Sequence, residues 1–122
     1  MKRHRQIMVV DDDQRMLYLL QRILQEEGYD VILAADGVSA MALLEDAKPD
    51  LVLLDIRMPG PDGYQVLETL RRQSNVPIIM VTAMHEVASV QRALTLGADD
   101  YVRKPFQPLE LVARVRAKMR HI

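Results

Sequence analysis

Four short apolar runs stand out along the chain: IMVV (7–10), VILA (31–34), LVLL (51–54) and PIIMV (77–81), with a weaker fifth, YV (101–102). The first four are nearly continuous and lack period-2 alternation, as expected of strands covered on both faces of a parallel sheet. Between the runs the period becomes helical. From Gln14 to Glu27, Leu17, Leu20 and Leu24 share a face, Arg15, Arg22 and Glu26 lie off it, and Gly28 supplies a stop. Ala40, Leu43, Leu44 and Ala47 follow the i, i+3, i+4, i+7 spacing of a second helix. Tyr64–Gln73 reads as a third, and His85–Leu96, closed by Gly97, as a fourth. Pro108–His121 reads as a fifth, with Pro in the first turn and Leu111, Val112, Val115 and Met119 facing inward.

Five strand–helix alternations predict an open, doubly wound parallel α/β sheet with right-handed crossovers and helices on both faces. Too few units are present for an eightfold barrel, and periodicity does not specify strand order. At 122 residues the chain is expected to be one domain, burying roughly two-thirds of the surface of its unfolded form. With no Trp and one Phe, the core must come from Leu, Val, Ile, Ala and eight Met. The absence of Cys excludes disulfides and thiolate metal sites. A net charge of -1, from 16 basic and 17 acidic residues, provides no general field for nucleic acid. The basic MKRHR runs through IMVV into DDD without a signal-peptide core. Nothing approaches the roughly 20 apolar residues of a membrane span, so a soluble, cytoplasmic domain is expected.

In open α/β sheets, ligands bind at the carboxyl ends of the strands. The first strand is followed by Asp11, Asp12 and Asp13, the third ends in Asp55, the fourth in Thr82, and the fifth is followed by Lys104–Pro105. Asp36, after the second, reads as a turn. Each residue has a plain alternative taken singly. The acidic triplet suits a helix start, a lone Thr a cap, and a lone Lys a solvated charge. Their coincidence at strand ends points instead to one rim. Carboxylates crowded there repel unless a cation joins them. With hard oxygen ligands and no Cys or nearby His, Mg²⁺ is the natural cation. Lys104 and Thr82 would complete a cradle for a phosphoryl group, and an Asp so placed can attack phosphorus to form an acyl phosphate.

VVDDD, LLDIRMPGPDG, VTA, GADDYVRKPF and PLELVARVRA together resemble the receiver domain of two-component response regulators, the CheY-like fold, over essentially the whole chain. The resemblance implies strand order 2-1-3-4-5 with five helices. It makes Asp55 the acceptor of a phosphoryl group from the phosphohistidine of a cognate sensor histidine kinase. It places Mg²⁺ on Asp11, Asp12, Asp55 and the backbone carbonyl of Arg57, and leaves Asp13 as a helix-start residue. Lys104 becomes the phosphoryl-contacting lysine, preceding a cis proline. The PGPDG loop becomes a stiff turn aiming the Arg57 carbonyl, and Thr82 and Tyr101 the switch pair. Arg57 and Met84 hold variable positions that tune phosphoryl lifetime.

The closing motifs look most like the OmpR/PhoB branch, which carries a C-terminal winged-helix DNA-binding domain. The resemblance therefore implies a homodimer through helix four, strand five and helix five, with Asp100, Glu110, Arg114 and Arg116 at charged positions. This chain departs at Val90 and Thr95, where the branch has a basic and an acidic residue. Glu110 and Arg116 then lack their usual partners, and Arg92 is a candidate for different contacts. Residues 1–122 are thus expected to be one receiver domain, either the N-terminal part of a longer regulator or a stand-alone receiver acting by protein contact. Transcriptional control through DNA would reside in a domain outside this chain, and the receiver, though self-dephosphorylating, would not be a classical enzyme. A Mg²⁺-dependent aspartyl-phosphate phosphohydrolase fits less well, since its nucleophile follows the first strand and a cap domain accompanies it. A flavin carrier is excluded, because DDDQRM is the electrostatic opposite of its phosphate loop. His4, His85 and His121 are expected on the surface.

Overall fold

A computed structural model describes residues 4–84 and 86–120. Strands β1 (Gln6–Val10), β2 (Asp30–Ala34), β3 (Leu51–Leu54), β4 (Ile78–Thr82) and β5 (Asp100–Arg103) alternate with helices α1 (Gln14–Glu26), α2 (Gly37–Ala47), α3 (Gly63–Gln73), α4 (Val87–Leu96) and α5 (Pro108–Met119). The strands form one parallel sheet in the order β2-β1-β3-β4-β5.

The unbroken apolar runs are explained by two cores. Met8, Val10, Val52, Leu54, Ile78 and Met80 point to one face, where α2, α3 and α4 cover them with Ala40, Leu44, Leu67, Leu70 and Ala93. Ile7, Val9, Leu51, Leu53, Ile79 and Val81 point to the other, against Leu17, Leu20, Leu24, Leu111, Val115 and Met119 of α1 and α5. Successive strand residues face opposite sides, so both parities must be apolar when both sides are covered. VILA departs from that expectation. β2 is an edge strand, and its Asp30 is exposed while Val31, Ile32 and Leu33 are only half-buried. With a neighbouring strand on one side only, its faces are left partly open.

The helix starts carry their own chemistry. The Asp13 side chain caps α1 by accepting from Arg15 N at 3.0 Å. Asp36 is a helix cap as well as a turn residue, accepting from Ser39 N at 2.7 Å, and these hydrogen bonds hold its carboxyl below the usual range. Asp62 and Gln65 exchange reciprocal bonds as a capping box at α3. His4 is exposed, with Nδ1 3.5 Å from Asp30. The surface expectations for His85 and His121 lie outside the described residues.

Candidate phosphoryl and metal site

Parallel register brings distant residues to one rim. Val10 pairs with Leu54, so the residues that follow them, Asp11 and Asp55, emerge side by side. The link is direct: Asp55 N donates to the Val10 carbonyl at 3.0 Å. Thr82 pairs with Arg103, and Lys104 N donates to the Thr82 carbonyl at 2.9 Å, which turns the lysine toward the acids. The Lys104–Pro105 peptide is cis.

Asp11 is only 1% exposed, Asp55 7% and Thr82 0%, whereas Asp12 is exposed. One carboxylate oxygen from each of Asp11, Asp12 and Asp55 falls within 4.8 Å of the other two. Lys104 Nζ bridges the buried pair, donating to Asp11 Oδ2 at 2.7 Å and Asp55 Oδ2 at 3.2 Å. Asp11 Oδ1 also accepts from Asp13 N at 2.9 Å, and Asp55 Oδ1 from Ile56 N at 2.7 Å. Burial raises the Asp11 pKa despite the opposing pull of Lys104. For Lys104 the balance runs the other way. Burial alone would lower its pKa, but hydrogen bonds and attraction from Asp11 and Asp55 outweigh that and raise it.

Three carboxylates and one ammonium leave the rim short of positive charge. The donor set is all oxygen and hard, with one member exposed, which suits a small divalent cation that keeps several waters. Arg57 lies two residues beyond Asp55, exposed beside the cluster.

The backbone under Asp55 is held by a residue that sequence reading had treated only as part of a turn. Gly63 N donates to the Ile56 carbonyl at 2.7 Å. A Cβ on Gly63 would fall against the Asp55 carbonyl oxygen and 2.5 Å from Ile56 Cα. Only glycine lets α3 begin so close to the acid. The signal was the final G of PGPDG, one residue inside the helix.

Thr82 and Tyr101 meet at a common residue. Met84 N donates to Thr82 Oγ1 at 3.3 Å, and the half-buried Tyr101 hydroxyl donates to the Met84 carbonyl. Burial, with smaller contributions from nearby negative groups, pushes the Tyr101 pKa up to about 12. Both hydroxyls therefore grip the segment leading into α4.

The charged residues expected on the α4–β5–α5 face divide into two groups. Arg114 Nη1 binds both carboxylate oxygens of Asp100, at 2.9 and 3.0 Å, while Arg114 Nε reaches Glu110 at 3.3 Å. Arg116 turns to the C-terminal cap of α1, where it pairs with Glu27. Two positions along a helix rotate a side chain by about 200°, so Arg114 and Arg116 face different neighbours. Val90 is half-buried and Thr95 exposed. Arg92 stacks on the Tyr64 ring, 4.0 Å from its centroid.

Among the described residues, no helix is long and apolar enough to cross a membrane. The response regulator receiver domain model matches residues 7–116. The chain is 47% identical over 114 residues to the DNA-binding response regulator MtrA of Mycobacterium tuberculosis, covering 93% of this chain and 50% of that protein. It is 47% identical over 116 residues to the probable transcriptional regulator ycf27 of Porphyridium aerugineum, covering 95% and 48%. It thus spans about half the length of the curated relatives it matches. Its fold superposes on a two-component response regulator from Clostridium difficile with TM-score 0.93, 31% identity and coverage of 96% and 97%. The BeF3-activated N-terminal receiver domain of Klebsiella pneumoniae RstA gives TM-score 0.91, 36% identity and coverage of 94% and 98%. The chain belongs to the response regulator receiver domain family, the phosphorylation-activated switches of two-component signalling.

Proposed function

We propose that Asp55 is the phosphoacceptor and that Asp11, Asp12, Asp55 and the Arg57 backbone carbonyl hold Mg²⁺. The observation that carries this reading is the meeting at one rim of three carboxylates whose oxygens lie within 4.8 Å of one another, two of them bridged by Lys104, from three strand ends. An Asp55 carboxylate oxygen attacks the phosphorus of a kinase phosphohistidine, and the phosphorus–nitrogen bond breaks with its electron pair returning to the imidazole. Lys104 Nζ and the Thr82 hydroxyl then donate hydrogen bonds to phosphoryl oxygens. When bound, Mg²⁺ offsets the carboxylate charge and offers a ligand position to a phosphoryl oxygen.

Thr82 and Tyr101 form the switch. Because both grip Met84, drawing the Thr82 hydroxyl toward phosphate releases the Met84 amide and lets the segment before α4 rearrange. The output is a changed α4–β5–α5 face. In a longer regulator that change acts through homodimerisation and a C-terminal DNA-binding domain, in the cytoplasm. The Asp100, Glu110 and Arg114 cluster supplies charge to this face. Arg116 instead braces α5 on α1.

Incubation with a small phosphodonor and Mg²⁺ adds one phosphoryl group by intact mass. The addition is lost in Asp55→Asn and when Mg²⁺ is omitted. Wild-type labelling of Asp55→Asn rules out this acceptor, and fast catalytic turnover of a phosphomonoester replaces the switch with a phosphohydrolase.

A further inference from the structure

A cavity of about 490 Å³ opens beside the acid cluster and shares Asp12 with it. Its lining is unlike the cluster's. Ile56, Met58 and Tyr64 are buried there, Met84 and the Asp62 carboxylate also line it, and two guanidinium groups, Arg57 and Arg92, stand exposed in its wall. Among the described residues, neither arginine pairs with a carboxylate. Arg92 is nonetheless held in place, because its guanidinium lies 4.0 Å over the Tyr64 ring. That ring directly follows Gly63, whose backbone rests on Asp55 and Ile56. The position of Arg92 is thus tied to the position of the nucleophile through one packed chain of contacts.

Three carboxylates against Lys104 leave two negative charges at the rim, which a bound Mg²⁺ would offset. That balance covers the acids alone and leaves the charge of a departing anionic group to be met from the cavity wall. We propose that Arg92 is a specificity-determining residue for phosphorylation by small acyl phosphates, its guanidinium facing the cavity that receives their carboxylate leaving group. The inference rests on Asp55 being the acceptor. In the step, an Asp55 oxygen bonds to phosphorus and the bond from phosphorus to the acyl oxygen breaks. The electron pair leaves on the carboxylate, so three negative charges enter and three remain, with no proton moved. The apolar walls accommodate the acyl body, and Arg92 offsets the charge that gathers on the departing oxygen.

The test compares two donors on the full chain with Mg²⁺, following intact mass over time. Acetyl phosphate expels an anion, whereas phosphoramidate expels neutral ammonia. Arg92→Ala lowers the second-order rate with acetyl phosphate about two- to tenfold and weakens its salt dependence. Arg92→Glu lowers it further and Arg92→Lys restores part of it. Phosphoramidate rates stay within about twofold throughout, as expected where no charged leaving group forms. Equal losses with both donors would indicate that Arg92 only supports the fold and would overturn the proposal, as would unchanged rates with both. A wild type that accepts phosphate from neither donor, or labels equally as Asp55→Asn, defeats the acceptor assignment instead.

Discussion

The two ends of β4 and β5 solve opposite electrostatic problems. At their amino ends, Arg71 from the last turn of α3 is closed in by acceptors. Its Nε and Nη2 donate to the Gly97 carbonyl at 3.0 and 2.8 Å, and its Nη1 to the Ser74 and Val76 carbonyls at 3.2 and 2.8 Å. Its Nη2 also meets Asp99 Oδ2 at 3.0 Å, and that same oxygen accepts from Ile78 N at 2.8 Å. Every charge there is answered, mostly by backbone. At the opposite, carboxyl edge of the sheet, Lys104 after β5 meets Asp11 and Asp55, which follow β1 and β3, with Asp12 beside them. Satisfied charge joins loops into a rigid base, while unanswered charge leaves room for a metal and a phosphoryl group. The same sheet thus keeps stability at one edge and chemistry at the other.

That division can be broken experimentally. The largest effect is expected from Gly63→Ala, since the new Cβ must displace the backbone of Asp55 and Ile56. It should cost about 3 kcal/mol in urea denaturation and abolish phosphorylation. A stable, fully phosphorylated variant would mean that α3 does not set the position of the acid. Arg71→Met comes next. Removing the guanidinium strips partners from three carbonyls and should cost about 2 kcal/mol. Labelling of Asp55 continues if the two edges are separate, and its loss in a folded variant would join them.

The smallest effect concerns Tyr101. Its pKa is raised from the ordinary 10.0 to about 12, so the folded state keeps the phenol proton longer than the unfolded chain does. Stability from this group is therefore complete below the ordinary value and falls as pH rises through about 12. Ultraviolet titration should show a late tyrosine ionisation, and Tyr101→Phe should remove that step. If the late step survives the substitution, the late-ionising tyrosine is not Tyr101.

Much of the fold was legible in the apolar periods. Strands 51–54 and helices beginning at Gln14 and Pro108 fall where the pattern indicates, because two-sided burial demands uninterrupted apolar residues and one-sided burial a helical stripe. VILA misled because an apolar run records what a strand contains, not how many neighbours cover it. Asp36 looked like a turn because caps and turns ask for the same short acceptor. Arg116 was grouped with Arg114 by a shared motif, yet helical rotation directs one to α1 and the other to β5.

The order of residue types alone determined the parallel α/β class and the strand tips where acids, hydroxyl and lysine stand, since burial and turn chemistry act locally. Only the assembled sheet decided which of those groups touch. The bridge from Lys104 to Asp11 and Asp55, the rest of Gly63 on the acid's backbone, and the stacking of Arg92 on Tyr64 all join residues from different strand–helix units or loops. Such contacts depend on register and strand order, which no local pattern encodes.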